Sequence, residues 1–110
     1  MNLFNDLQTL TKELDVSIKS LRKTGEDYAK AYTDYRILLS QELLKLKNEG
    51  MAVTMAYDVA RGKPEIAKAK FNEISKEAIY RANQEAIQSI KLKMRLTESQ
   101  LQREYGSNIN

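Results

Sequence analysis

Cysteine and histidine are both absent from this chain, and proline occurs once, at Pro64. Without cysteine there is neither a disulfide nor thiolate chemistry, which is compatible with a reducing, intracellular setting. Without histidine the usual general base and the commonest metal ligand at neutral pH are missing, and a zinc site has neither Cys nor His to draw on. There is no run of about eighteen apolar residues and no basic-then-apolar leader, so neither a membrane span nor a secretory signal is expected. The expectation is a soluble protein of the compartment in which it is made. Charge of one sign is also scarce: eighteen Lys and Arg against fifteen Asp and Glu leave +3, mild for a dedicated nucleic-acid binder.

Motifs that carry chemistry are missing too. Glu73 and Glu77 stand one helical turn apart and read as a solvated face rather than a metal site. Gly62-Lys63 is not a phosphate-binding loop, because Tyr57 stands where the earlier glycine is needed and Pro64 where Ser or Thr is needed. No enzymatic activity, cofactor or small-molecule substrate is expected.

What is present is helix. Of the four glycines, Gly50 and Gly62 fall with Pro64 in the stretch 49–65, and some forty-five residues with almost no helix breaker lie on either side. At 110 residues a single domain is expected, with an arm over 3–48, a corner over 50–63, an arm over 64–105 and a disordered tail over 106–110. The first arm carries Leu3, Leu7, Leu10, Leu14, Ile18, Leu21, Tyr28, Tyr32, Tyr35, Leu39, Leu43 and Leu46. Steps of three and four mark one helical stripe, with Asn2 or Asn5 as its cap. Many members recur after eleven positions, which predicts a nearly straight or slightly right-handed seam. Gly25 costs a helix about 1 kcal/mol, and Thr24 with Asp27 resembles an N-cap. The arm is read as continuous or kinked at Gly25; the alternative is a break, with residues 3–23 folded back as a separate helix.

The second arm opens on Gly62-Lys63-Pro64-Glu65, a helix stop followed by a proline and an acid suited to a first turn. Its stripe reads Ala67, Phe71, Ile74, Ala78, Ala82, Ala86, Ile90, Met94, Leu101 and Tyr105. Each arm would span about 60 Å at 1.5 Å per residue, and matched lengths predict an all-α, long antiparallel helical hairpin. One helix pair rarely makes a sufficient core. Ile37, Leu38, Leu44, Ile66 and Leu92 widen the stripes, so a homodimer or higher oligomer with a four-helix core is expected.

Within the corner, Thr54 is expected to cap a short helix over 55–61, stopped by Gly62. Met51, Val53, Met55 and Val59 either plug the end of the hairpin core or form a methionine-bearing partner site. With Tyr57, Arg61 and Lys63, residues Met51, Val53 and Met55 make the candidate partner site at the corner. A second candidate is a basic band. Lys19, Arg22 and Lys23 would lie level with Lys91, Lys93 and Arg95 if the chain turned near residue 56, and six cations at one height suit phosphates or an acidic protein. The alternative is that they solubilise the outer faces. No aromatic residue interleaves with them, which argues against a base-stacking platform. The corner also has the rhythm of a helix-turn-helix DNA reader, with Arg61, Lys63, Lys68 and Lys70 near the groove, although the helix that follows is too long for a compact reader domain.

The runs Gly25-Glu26-Asp27-Tyr28-Ala29-Lys30-Ala31, Asp34-Tyr35-Arg36-Ile37-Leu38-Leu39, Glu49-Gly50-Met51-Ala52-Val53-Thr54, Ala60-Arg61-Gly62-Lys63-Pro64-Glu65 and Lys91-Leu92-Lys93-Met94-Arg95-Leu96 resemble those of small helical proteins encoded by temperate phages and prophages of Gram-positive bacteria, among early genes near replication and recombination functions. The resemblance covers nearly the whole chain and carries no motif that specifies chemistry. It implies a phage accessory protein in a bacterial cytoplasm. Where it implies an acidic cap on the last helix, this chain has Lys63. The leading expectation is a non-enzymatic protein that binds a replication, recombination or host-defence component; nucleic-acid binding and an assembly-scaffold role are the alternatives.

Overall fold

A computed structural model describes residues 2–109, with side chains through Gly106. The fold is all-α: α1 (Leu3–Asn48), a short α2 (Val53–Gly62) and α3 (Pro64–Ile109). The long helices α1 and α3 are the antiparallel arms of a helical hairpin. Among the described residues no helix is long and apolar enough to cross a membrane.

Local chemistry sets the ends. Asn2 caps α1, its Oδ1 accepting from the Asn5 amide at 3.2 Å. At the other end Gly50 takes φ +91°, a conformation that glycine adopts without the penalty of a side chain. The Met51 amide then reaches the Leu46 carbonyl at 3.1 Å and the Gly50 amide the Lys47 carbonyl at 3.0 Å. This is the Schellman pairing, and Met51 packs against the cluster holding Leu46, as the motif favours. The short helix begins at Val53, earlier than Thr54 implied, with Ala52 at its N-cap and no side-chain cap. It ends through Pro64 rather than through a left-handed glycine. A residue before proline is held extended, and Lys63 has φ −69° and ψ 135°. At the chain's end α3 continues past Tyr105 to Ile109. Gly106 has no positive φ and no proline follows it, so the tail expected over 106–110 is helical to Ile109; Asn110 lies outside the described residues.

Contacts divide the chain into two units. In Met1–Lys23 with Arg81–Asn110, the described residues shielded from solvent are Leu3, Leu7, Leu10, Leu14, Ser17 and Leu21 on α1, and Asn83, Ile87, Ile90, Met94, Thr97 and Leu101 on α3. Both sets step by four and three in strict alternation. The packed seam therefore follows a seven-residue spacing, not the eleven-residue one, because the eleven-residue pattern counted only apolar residues and the seam also uses Ser17, Asn83 and Thr97. Ile18 is left exposed. The Asn83 side-chain amide donates to the Ser17 carbonyl at 2.9 Å, and Phe4 meets Tyr105 edge to face at 5.7 Å.

The unit Thr24–Tyr80 is built around Tyr35, Leu39, Leu46, Ala56, Ala60 and Ile66, with Leu43, Met51 and Ala69 against them. Ala31 is buried here while its neighbour Tyr32 is exposed. On α3 the shielded positions include Ile66, Ala69, Glu73, Lys76 and Tyr80, whereas Ala67, Phe71, Ile74 and Ala78 of the expected stripe are exposed. Beyond this unit Ala82 and Ala86 are exposed too. Glu73, read from sequence as solvated, is only 5 % exposed. Its carboxylate receives the Lys70 ammonium at 2.8 Å, as a buried carboxylate requires.

Gly25 does not break α1, which runs through it. A Cβ added there would stand 3.2 Å from Cε1 of Tyr80, whose ring lies 6.0 Å from that of Tyr28. Gly25→Val should therefore cost about 1–3 kcal/mol by overpacking. In Gly25→Ala a gain in helix propensity of about 1 kcal/mol offsets a small shift of the ring, and stability should stay near that of the parent. Thermal melts of the pair test this ordering, and a valine variant as stable as the parent would refute the close approach.

Candidate partner-binding site at the corner

Helix α2 is docked by its smallest side chains. Ala56 and Ala60 are fully buried, whereas Val53 is 52 % and Met55 60 % exposed. Positions 56 and 60 are one turn apart, so this pair brings the α2 backbone close to Leu46 and Ile66 in the same cluster. The larger apolar residues are left as two shoulders, Val53 with Tyr57 on one side of the alanines and Met55 with Val59 on the other, each pair again four residues apart. An ordinary surface helix buries its large residues; this one does the reverse.

The corner candidates separate accordingly. Met51 is half-buried and packs on the core, so it plugs the hairpin end. Val53, Met55, Tyr57 and Arg61 face outward. The Arg61 guanidinium lies over the Tyr57 ring, 5.2 Å from its centroid, a cation–π arrangement that holds both side chains at the surface. Lys63 turns to Glu42 and forms an ion pair with it. The hydrogen bond that the Lys63 ammonium donates to Glu42 raises it above its ordinary pKa; burial opposes this, and Glu42, Glu49 and Glu65 add to it through their charge. That partner is what Lys63 finds at a position where an acidic cap was implied.

Beside α2 lies a pocket of about 400 Å³ lined by Tyr35, Arg61, Ile66, Ala67 and Lys70. Lys70 stands 4.7 Å from the Tyr35 ring centroid, and its hydrogen bond to Glu73 raises its pKa, against the effect of burial. Among the four cations of the helix-turn-helix reading, Lys63 and Lys70 are thus committed to Glu42 and Glu73. Neither this pocket nor the alanine dock was read from the sequence. The spacing Ala52, Ala56, Ala60 was the available signal for the dock.

The six band residues all belong to the unit formed by Met1–Lys23 with Arg81–Asn110, and all are exposed. They do not share one height. Asn83 bonds to Ser17, and Ile90 lies with Thr9, Glu13 and Ser17 around one groove. Lys91, Lys93 and Arg95 therefore stand about ten residues, or some 15 Å, along the seam from Lys19, Arg22 and Lys23. Counting from residue 56 misplaces the pairing axis, because residues 53–62 form a helix of their own. Nor do the cations share one face: positions two apart, such as Lys91 and Lys93, point about 160° apart. Lys19 lies 4.0 Å from Asp15, and Arg22 and Lys23 also have interaction partners.

No protein-family model, curated protein or solved structure matches this chain.

Proposed function

We propose that this chain is a non-enzymatic interaction protein that binds another protein through α2. The observation that carries the reading is the inverted helix: buried Ala56 and Ala60 beneath exposed Val53, Met55, Tyr57 and Val59. An apolar pair on each side of a docked helix suits an amphipathic partner helix laid alongside it, and Arg61 at the end of α2 offers an acidic side chain of that partner an ion pair. The phage-protein resemblance of the sequence supports a bacterial cytoplasm during infection or lysogeny as the setting, with a replication, recombination or host-defence component as the partner.

Burying one such side chain contributes about 1.5–3 kcal/mol, so Met55→Asp with Val59→Asp should weaken partner capture more than tenfold while leaving helicity unchanged. Charge reversal at Lys91, Lys93 and Arg95 should leave capture intact. The measurement is affinity capture from bacterial lysate by the parent and both variants, with fluorescence anisotropy on labelled DNA at about 50 and 200 mM salt alongside. DNA binding that falls steeply with salt and is lost on charge reversal, with no protein captured, would replace this reading with a nucleic-acid one.

A further inference from the structure

In the unit Thr24–Tyr80, α3 has an apolar face that the chain itself does not cover. At about 100° per residue, Ala67, Phe71, Ile74 and Ala78 fall within about 60° of one another. They lie on the side of α3 turned away from buried Ile66 and Glu73. Phe71 is 73 % exposed and Ile74 55 %, although α3 turns Glu73 inward. Large apolar groups outside and a carboxylate inside are the wrong way round for a helix that meets one neighbour only.

We infer that this face is a two-fold interface between two copies of the chain, with the α3 helices antiparallel and crossing between Asn72 and Glu73. The order small, large, large, small reads the same in both directions. About that axis Ala67 meets Ala78 of the second copy and Phe71 meets its Ile74, as an isologous contact requires. The alanines let the helices close toward the short end of the usual 8–10 Å separation, and each phenyl ring then packs on an isoleucine.

Charge chooses the direction. In the antiparallel register Glu77 of the second copy comes to the mouth of the pocket lined by Arg61, where Lys70 is already held by Glu73, and the symmetry makes this contact twice. A parallel arrangement would instead set Lys70 beside Lys68 of the second copy, a like-charge contact. The interface rests on the outer face of α3 and shares only Arg61 with the α2 reading.

Solution mass with paired cysteine variants tests the inference. The parent should show the mass of two chains at micromolar concentration, and Phe71→Glu that of one chain with unchanged helicity. The native chain has no cysteine, so introduced thiols report contacts cleanly. Ala67→Cys mixed with Ala78→Cys should form a disulfide between the two variants. Neither variant should cross-link alone, because like positions lie about 16 Å apart along the antiparallel pair, beyond the roughly 7 Å limit for a disulfide. A single-chain mass for the parent, a Phe71→Glu variant that keeps two chains, or efficient cross-linking of either cysteine variant alone would overturn the inference.

Discussion

Leu46→Ala is expected to lower the free energy of unfolding by about 3 kcal/mol, within the 2–5 kcal/mol typical of buried leucines. Leu46 is 4 % exposed and belongs to the cluster that contains Tyr35, Ala56, Ala60 and Ile66. Its carbonyl also receives the Met51 amide in the turn that ends α1, and Met51 packs on the same cluster. Truncation therefore leaves a cavity and strips Met51 of the apolar contact that accompanies this kind of cap. Folded domains are held by only about 5–15 kcal/mol, so the loss is a large fraction of the whole. Urea titration reads it as a lower midpoint with an unchanged slope. A change under 1 kcal/mol would mean that the corner core is looser than its burial implies.

Ala60→Leu is expected to cost about 1–3 kcal/mol by the opposite mechanism. Ala60 is fully buried, and added methylenes in a packed site force neighbours off their rotamers. The short α2 has no side-chain cap to hold its start and should yield first. Its amides should accordingly lose hydrogen-exchange protection before those of α1 do. Met55→Ala is the matched control: Met55 is 60 % exposed, and a surface change of this kind alters stability by about 0.5 kcal/mol or less. Equal effects of the two substitutions would contradict a helix docked by its alanines.

Most of the first arm's stripe was legible: Leu3, Leu7, Leu10, Leu14, Leu21, Tyr28, Tyr35, Leu39, Leu43 and Leu46 are shielded, whereas Ile18 and Tyr32 of the same stripe are exposed. The second arm was legible only toward its end, where Ile90, Met94 and Leu101 of the expected stripe are shielded. The most apolar stripe of α3 runs through Ala67, Phe71, Ile74 and Ala78, and choosing the inward face by apolarity selects that stripe over Ile66, Ala69, Glu73 and Lys76. Glu73 faces inward because Lys70 neutralises it there, an arrangement with no hydropathy signal. The corner was half legible. Gly50, Gly62 and Pro64 located it, but the propensity of Thr54 for caps yielded to a start at Val53. Small residues such as Ala56 and Ala60 carry too little hydrophobicity to announce that they hold a helix down. The shared height expected of the basic band was misplaced for a geometric reason: α2 occupies residues 53–62, so counting from residue 56 shifts the pairing of α1 with α3.

A seam with a seven-residue spacing is nearly unchanged when one helix slides along the other by two turns, so spacing alone leaves several alignments close in energy. Gly25 removes that degeneracy. It is the only glycine within α1, and the ring that closes on it is Tyr80. A slip of seven residues would offer the same notch to Glu73 or Ile87, neither of which fills it with an aromatic ring. The glycine that weakens α1 as an isolated helix thus works as a keyway, and Tyr80 is the key that favours one alignment of α1 and α3 within the unit Thr24–Tyr80.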